Sequence, residues 1–408
     1  MKKVNYIPVL LVLTLVLLMD LYVFQGIKVL LLAGGISLGY PVWGLYWLVS
    51  VTIAATFTYN VIRALSTGNI PSYFNFAVNT FLTFFVTKLV FVLVLFAEDV
   101  FRMGYAIFND GRWPERFHFI SQMALMLSAF PFFSFLYGVT KGKYNYKIHR
   151  HKLHFEDLPP VFDGFKIIQI SDIHAGSFDN PKAVKRGVKL INAENADLVV
   201  FTGDLVNNKS EEIIPWLSTF SEIRAKYGKL SVLGNHDYGD YVRWDSINEK
   251  IANLNSLKKY HAEIGFRLLL DESVSIRKGG EEIKILGVEN WGLGFGERGD
   301  LKKSMRDLNP SDFKVLLSHD PTHWHTIVKN YPVKVHLTLS GHTHGMQFGI
   351  EALGLKWSPV KYRYPHWAGL AHENGRYLYI NRGFGFLGFS GRVGIWPEIT
   401  EITLHKSV

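Results

Sequence analysis

The sequence predicts two successive parts, an all-α region of four membrane-spanning helices and then an α/β domain. Three observations lead to this prediction. The 408 residues have a mean hydropathy of +0.10 with only 19% charged residues, which is high for a soluble protein. Long apolar stretches are confined to residues 1–140. From residue 165 onward, short apolar runs rich in branched residues alternate with helical patterns, as in α/β domains.

Four of the apolar stretches are long enough to cross a hydrocarbon core, which requires about 20 helical residues. They are Tyr6–Phe24, Val42–Ile62, Phe76–Phe96 and Phe117–Val139. The segment Gly26–Leu32 either extends the first span or lies along the interface. Asp20 and Lys88 lie inside spans, where charges are costly and usually paired, so we expect a structural pair rather than a transport pathway.

The charge of the chain is concentrated in the apolar part. The whole chain has 44 Lys+Arg and 35 Asp+Glu, a formal +9. Residues 1–150 hold 12 Lys+Arg and 5 Asp+Glu, or +7, which leaves +2 for the remaining 258 residues. We therefore interpret the basicity as a topology signal and expect no nucleic-acid partner. Lys2 and Lys3 precede the first span and the basic run 141–152 follows the fourth, which predicts that both termini are cytoplasmic. The basic run either is a topology signal alone or also attracts anionic headgroups.

We expect three segments: a four-span region at 1–140, a basic juxtamembrane linker at 141–160 and a catalytic domain at 161–408. The chain has no cysteine. This excludes disulfide scaffolds, thiolate zinc sites and cysteine nucleophiles. Any metal must therefore be bound by oxygen and imidazole ligands.

Five apolar runs in the α/β part each end in polar residues. The polar ends are Ser171-Asp-Ile-His174, Gly203-Asp204, Gly234-Asn-His-Asp237, Ser318-His319 and Gly341-His-Thr-His-Gly345. Ligands of open α/β sheets collect beyond the carboxyl ends of strands. One such motif is a weak signal, because a lone His or Gly-Asp is usually a core residue or a turn. Five in succession predict a single site.

Carboxylate, amide and imidazole ligands suit Mn, Fe or Zn. Phosphoryl transfer requires neutralised charge and an attacking hydroxide in line with the leaving oxygen. Two cations about 3.5–4 Å apart can supply both.

The order of these motifs resembles that of the calcineurin-like metallophosphoesterase family over about residues 164–408. The resemblance implies a sandwich of two mixed β-sheets flanked by helices, and two divalent metal ions, with Mn favoured. It assigns Asp172, His174 and His344 to one metal, Asn235, His319 and His342 to the other, and Asp204 to both. His236 would act in catalysis by donating to the phosphate or protonating the leaving oxygen. Asp237 would either orient His236 or complete the turn.

Differences from the motifs of protein Ser/Thr phosphatases indicate which branch of the family this sequence resembles. Protein Ser/Thr phosphatases read Gly-Asp-x-x-Asp-Arg-Gly and Arg-Gly-Asn-His-Glu, whereas this chain has Gly203-Asp-Leu-Val-Asn-Asn-Lys209 and Leu233-Gly-Asn-His-Asp237. The missing charges argue against a phosphoprotein substrate. The C-terminal motifs, including Gly341-His-Thr-His-Gly-Met-Gln347 and Asn381-Arg-Gly-Phe-Gly385, resemble the bacterial membrane-associated branch of YaeI- and YkuE-like phosphodiesterases and UDP-2,3-diacylglucosamine pyrophosphatase-like enzymes.

The resemblance implies a hydrolase in the bacterial inner membrane whose partners are the lipid bilayer and a lipid-linked phosphodiester or pyrophosphate substrate. One alternative is a hydrolase of soluble phosphodiesters or nucleotides that is merely located at the membrane. The least favoured alternative is a non-catalytic scaffold, because such a protein would be expected to have lost metal ligands and this sequence retains all of them. Arg382 and Arg392, in glycine-rich loops, either bind substrate phosphate or are solvated. The aromatic and basic stretch Trp357–Trp367 either faces the bilayer or packs on the rim of the domain.

Overall fold

The computed structural model describes residues 6–36, 39–67, 73–352 and 354–407. The chain divides into two compact units, residues 1–140 and 141–408.

The first unit consists of four long apolar helices. They are α1 (Ile7–Ala33), α2 (Tyr40–Thr67), α3 (Phe74–Phe108) and α4 (His118–Thr140). All four have the length and composition of membrane spans, which confirms the predicted four-helix region. Residues 26–32 continue α1 as helix. The third helix runs beyond the predicted end at Phe96, so Glu98, Asp99 and Arg102 are helical rather than part of a loop.

Buried charges in the first unit have partners. The predicted pair forms, with Lys88 Nζ 2.5 Å from Asp20 Oδ1. The hydroxyls of Ser50 and Tyr46 donate to the same oxygen at 2.9 and 3.0 Å. These contacts join α1, α2 and α3. Because these contacts pair Asp20 and Lys88 inside the bundle, the cost of holding charge in an apolar environment is reduced.

A second ion-pair cluster explains why α3 extends so far. The Arg116 guanidinium, just before α4, reaches Glu98 and Asp99 on α3, each at 2.8 Å. Arg102 pairs with Asp99 at 2.6 Å, one helical turn away. Because Glu98 and Asp99 are paired with these arginines, α3 continues past them to Phe108.

The second unit contains sixteen strands among its described residues. They are β1 (Lys147–Phe155), β2 (Phe165–Ile170), β3 (Leu198–Phe201), β4 (Lys229–Ser231), β5 (Arg267–Leu268), β6 (Glu272–Lys278), β7 (Glu281–Gly287), β8 (Trp291–Gly292), β9 (Gly296–Glu297), β10 (Lys314–Leu317), β11 (Leu337–Ser340), β12 (Ile350–Ala352), β13 (Leu355–Trp357), β14 (Gly369–Glu373), β15 (Arg376–Ile380) and β16 (Glu398–Lys406). The helices are α5 (Pro181–Ala193), α6 (Leu217–Ser221), α7 (Ile247–Glu263), α8 (Leu301–Ser304) and α9 (Thr322–Thr326).

Two six-stranded mixed sheets form the framework, in the orders β1-β16-β2-β3-β4-β5 and β14-β15-β11-β10-β7-β6. Strands β2 to β5 are parallel, and so are β7, β10, β11 and β15. β16 and β6 run antiparallel to their neighbours β2 and β7. This arrangement confirms the predicted α/β sandwich of two mixed sheets.

Alternating side chains of β2 show how the sandwich packs. Ile167 lies in the core between the two sheets, whereas Ile168 and Ile170 lie in the core on the opposite face of the sheet, with residues of α5 and α7. All three are buried. Burial on both faces explains why apolar residues such as Ile167 and Ile168 are adjacent in β2 instead of alternating with polar residues.

The prediction of a linker at 141–160 is wrong for residues 147–155, which belong to a sheet. Residues 147–155 form β1, which pairs in parallel with β16 over its whole length. Leu153 and Phe155 are buried in the core between the sheets. The strand is difficult to predict from the sequence, because most of its residues are basic and its buried apolar residues lie only at its end. The second unit therefore begins with its sheet almost directly after α4.

We expect the Lys88→Met variant to lose about 3 kcal/mol of stability, because it leaves the Asp20 carboxylate uncompensated inside the bundle. The double variant Asp20→Leu/Lys88→Met removes both charges and should recover most of the loss. Thermal unfolding of the full chain in detergent, followed by circular dichroism, measures both. Equal loss in the single and double variants would show that the pair has no coupled role.

Candidate metal centre

The predicted site residues follow five strands of the two sheets. β2, β3 and β4 of the first sheet are followed by Asp172 with His174, by Asp204, and by Asn235 with His236. β10 and β11 of the second sheet are followed by His319 and by His342 with His344. Parallel strands bring their carboxyl ends to one edge of a sheet. The seven predicted ligands and His236 converge there, as the distances below show.

Five of the predicted ligands have a left-handed backbone, which is uncommon for residues other than glycine. Their φ angles are 52° at Asp172, 47° at His174, 61° at Asp204, 70° at His342 and 51° at His344. Hydrogen bonds between the loops maintain these conformations. For example, the Asp172 amide donates to the Gly203 carbonyl at 2.9 Å. Strained backbone held in this way is typical of functional sites.

Asp172, His174 and His344 form a group whose ligand atoms lie close enough to hold one metal ion. The Nε2 atoms of the two histidines are 3.0 Å apart, and His344 Nε2 is 3.2 Å from Asp172 Oδ1. All three residues are buried. Burial opposes ionisation of Asp172, but the His344 imidazole outweighs it and holds the pKa of the carboxyl below its usual range. Burial lowers the pKa of His174, which favours the neutral, metal-binding form.

Asp204, His319 and His342 form the second such group. His319 Nε2 lies 3.2 Å from Asp204 Oδ2. The Asn235 amide oxygen lies 2.9 Å from His342 Nδ1, so the predicted amide ligand joins this group. The other ring nitrogen of His319 donates to the Thr202 carbonyl, with the two atoms 2.7 Å apart. This bond fixes the ring orientation and leaves Nε2 to face Asp204.

Asp204 lies between the two groups. Its Oδ2 atom is 3.6 Å from His174 Nε2 and 3.2 Å from His319 Nε2. Gly234 permits this arrangement, since a Cβ atom there would come within 2.2 Å of Asp204 Oδ1. The donor set of carboxylates, imidazoles and one amide fits two divalent cations with Asp204 shared between them.

The charge balance of the site also fits a cation. Burial disfavours protonation of His319, but the Asp204 and Asp172 carboxylates outweigh it and raise its pKa to about 10. Without a metal, this shift favours the protonated form of the His319 imidazole beside Asp204. A bound cation would replace that positive charge, as metal binding generally displaces protons from its ligands.

His236 lies at the edge of this centre. Its Nδ1 atom is 2.7 Å from the Asn207 carbonyl oxygen, to which it must donate. Its ring packs edge-to-face on His174 with centroids 5.1 Å apart. The backbone amide of His236 donates to Asp204 Oδ1 at 2.8 Å. The Nε2 atom thus remains available, as the predicted role towards substrate requires.

Two roles are expected for Asp237, orienting His236 or completing the turn, and its hydrogen bonds fit the second. Its carboxylate accepts from four backbone amides, those of Asp204, Leu205, Val206 and Gly234. It is fully buried. Among the described residues, its side chain forms no hydrogen bond with the His236 ring. Burial and the Asp204 charge raise the pKa of Asp237 to about 7, a shift that the amide donors limit. Asp237 therefore completes the turn and positions the metal-binding loops rather than acting in catalysis.

Arg382 and Arg392 are bound inside the unit. Arg382 donates to Glu398 at 2.5 Å and to Glu351 at 2.6 and 2.9 Å. Arg392 is fully buried and donates to the carbonyls of Gly383 and Gly385 at 3.1 and 2.6 Å. The Arg382 guanidinium is therefore not free to bind phosphate, whereas Nη1 of Arg392 is buried without a hydrogen-bond partner among the described residues. Both stabilise the loops that follow β15, and Arg392 also lies 3.4 Å from His344 Nδ1.

Sequence reasoning missed three residues that support the ligands. Asp320 Oδ2 lies 3.3 Å from His342 Nε2, and the Tyr364 hydroxyl lies 2.9 Å from the same nitrogen. Glu212 accepts from the amides of the loop that carries Asn207, and so supports His236 indirectly. Asp320 directly follows the ligand His319, which was the available signal. Nothing in the sequence connects Tyr364 or Glu212 with the site.

We expect Asp320→Asn to weaken metal binding at the His342 group by about 10- to 100-fold, the usual cost of losing a carboxylate behind a histidine ligand. Isothermal titration of the metal-free full chain with Mn²⁺ measures this. Asp157→Asn is the matched control, because Asp157 lies 2.8 Å from His336 Nε2, outside the ligand groups. Equal affinity in all three proteins would contradict the supporting role of Asp320.

Comparisons with known proteins agree with this geometry. A family described as "Probable Calcineurin-like phosphoesterase, transmembrane domain" matches residues 5–143, and "Calcineurin-like phosphoesterase" matches residues 165–346. The uncharacterized metallophosphoesterase YkuE of Bacillus subtilis is 30% identical over 262 residues, which are 63% of this chain and 85% of YkuE.

Two further relatives come from distant organisms. A transmembrane protein with metallophosphoesterase domain from Danio rerio is 25% identical over 276 residues, 67% of this chain and 60% of the relative. The UDP-2,3-diacylglucosamine pyrophosphatase LpxG of Chlamydia trachomatis is 29% identical over 279 residues, 56% of this chain and 81% of LpxG. This chain therefore belongs to the calcineurin-like metallophosphoesterase family and carries the four-span transmembrane domain at its N-terminal end.

Proposed function

We propose that this membrane-anchored metallophosphoesterase uses two divalent metal ions, preferably Mn²⁺, to hydrolyse a phosphodiester or pyrophosphate bond of a lipid-linked substrate. The observation that carries the proposal is the position of Asp204, whose carboxylate lies between the two histidine-containing groups. Such an arrangement suits two cations that act on one phosphoryl group.

The residues of the chain divide the work between binding and proton transfer. Asp172, His174 and His344 would hold one cation, and Asn235, His319 and His342 the other. Two cations bound there would neutralise phosphate charge and provide a nucleophilic hydroxide at neutral pH. His236, with Nδ1 engaged by the Asn207 carbonyl, would direct Nε2 to the phosphate or to the leaving oxygen and donate a proton.

The membrane spans support a lipid-linked substrate. A tethered active site meets molecules in the same bilayer at a high effective concentration. The relative LpxG is named for hydrolysis of a diacylated nucleotide sugar, which makes that chemical class one candidate. The loop after Asp204 also lacks the Asp-Arg-Gly extension typical of phosphoprotein phosphatases.

Replacing His236 by alanine should lower kcat by about 10²- to 10⁴-fold, the usual contribution of a general acid, while metal binding persists. Asp204→Asn should lose both activity and bound metal. Hydrolysis of an artificial phosphodiester with Mn²⁺, together with metal analysis of each purified variant, separates the two effects.

The exposed histidine His372, which stacks on Tyr377 in the second sheet, provides the control, and His372→Ala should retain full activity. Full activity in His236→Ala or in Asp204→Asn would refute the catalytic assignment.

The substrate class can be tested with the wild-type chain in lipid nanodiscs. We expect kcat/KM for lipid diphosphates in the same disc to exceed that for soluble nucleotides and phosphodiesters by at least about tenfold, because the tether raises effective concentration. Equal or better hydrolysis of the soluble compounds would favour an enzyme that the membrane merely localises.

The positive charges near the spans support an inner-membrane orientation with both termini in the cytoplasm. Alkaline phosphatase, which is active only outside the cytoplasm, should be inactive when fused to the C terminus of the chain in a bacterial host. The same reporter fused after Arg112, between α3 and α4, should be active. The reverse pattern would place the catalytic unit outside the cytoplasm.

A further inference from the structure

The short hairpin β12–β13 is exposed on both faces, and one of these faces is apolar. Ile350 pairs with Trp357 and Ala352 with Leu355, so these four side chains share one face of the hairpin. Ile350 and Leu355 are 48% and 56% exposed. The exposed apolar face departs from the usual pattern, in which a hairpin on a domain surface packs its apolar side inward.

The opposite face of the hairpin is attached to the second unit through charged side chains. Glu351 accepts two hydrogen bonds from Arg382, at 2.6 and 2.9 Å. Lys356 donates to the Ala368 carbonyl at 2.5 Å and lies over the Trp367 ring. These contacts fix the orientation of the hairpin, so the outward direction of its apolar face is a built feature of the fold.

The segment that contains the hairpin begins and ends at the metal centre. It leaves the site after His344, a predicted metal ligand, and returns at Tyr364, whose hydroxyl lies 2.9 Å from His342 Nε2. Met346 near its start and Tyr362 near its end are 58% and 78% exposed. Apolar surface thus adjoins the site along the chain in both directions.

The charges of this segment favour an anionic surface as the partner. Between His344 and Tyr364 the sequence has Lys356, Lys361 and Arg363 but only one acid, Glu351, which is paired with Arg382. Lys361 and Arg363 are exposed next to Tyr362. Exposed aliphatic and aromatic side chains beside cations are typical of surfaces that bind at the interface of anionic membranes.

We propose that residues 346–352 and 354–363, here called the docking hairpin, insert their apolar face into the surface of an anionic lipid bilayer next to the metal centre. The chain is already attached to a bilayer by its helices, so insertion requires no additional partner. The proposal deepens the proposed function and rests on it in one respect: an inserted hairpin would let a lipid-linked phosphate reach the metals without leaving the membrane.

The absence of cysteine from the sequence allows a direct test in the full chain. Leu355→Cys is labelled with an environment-sensitive fluorophore, and the protein is placed in nanodiscs of phosphatidylethanolamine and phosphatidylglycerol. Quenching is compared between nitroxide on lipid acyl chains and iodide in water. Ile251→Cys on α7, 52% exposed, is the matched control.

The label at position 355 should be quenched by the lipid nitroxide and protected from iodide, and the label at position 251 should show the opposite. Quenching at 355 by iodide alone would overturn the proposal. Protection from both quenchers would also overturn it, since a protein partner or a second copy would then cover the hairpin. Because turnover is not measured, failure of the proposed catalytic function leaves this result unaffected.

A kinetic comparison gives a second readout. The variant Ile350→Asp/Leu355→Asp should lower the ratio of lipid diphosphate turnover to soluble phosphodiester turnover by at least about tenfold, because charge on the inserted face opposes membrane contact. The control variant Ile247→Asp/Ile251→Asp, at two exposed positions of α7, should leave this ratio unchanged. An unchanged ratio in the hairpin variant would contradict the proposal.

Discussion

The carboxylate of Asp204 is the contact on which the site depends, because it faces imidazoles carried by different elements of the fold. His174 follows a strand of the first sheet, and His319 follows a strand of the second. Their Nε2 atoms lie 3.6 and 3.2 Å from the same carboxylate oxygen. A displacement of either sheet would therefore separate the two groups of ligands. The apolar core between the sheets sets this spacing, since it fixes the distance between strand ends.

The backbone around Asp204 is held by residues that do not themselves face a substrate. Asp237 accepts from the amides of both loops that meet there, and Gly234 leaves space for the Asp204 carboxylate. Glu212 secures the loop whose Asn207 carbonyl orients His236. The left-handed conformations of five predicted ligands can persist because these buried hydrogen bonds oppose relaxation of the backbone.

Much of this arrangement could be predicted from the sequence. The strands that precede the predicted ligands are largely apolar, and Asp, Asn or His residues follow closely where each strand ends, so the position of the site follows from the pattern. The four helices are equally evident, because membrane spans require long runs without charge. The pair Asp20–Lys88 followed from the cost of isolated charge in such runs.

Other features depend on contacts between residues that are distant in the sequence. Strand β1 has mostly basic side chains, so it is recognised as a strand only from its pairing with β16 near the C terminus. The partners of Arg382, Glu351 and Glu398, lie 31 and 16 residues away. The outward apolar face of the docking hairpin likewise depends on which side of a two-stranded ribbon contacts Arg382. The alternation of side chains along a strand identifies its two faces, but it does not determine which face contacts the rest of the domain.

The central claim is that one carboxylate brings two metal ions together. Electron paramagnetic resonance of the full chain titrated with Mn²⁺ tests it most directly, because ions about 3.5–4 Å apart are magnetically coupled. We predict two Mn²⁺ per chain and a coupled, multiline spectrum that Asp204→Asn abolishes. Uncoupled six-line spectra at every loading of the wild-type protein would contradict the account.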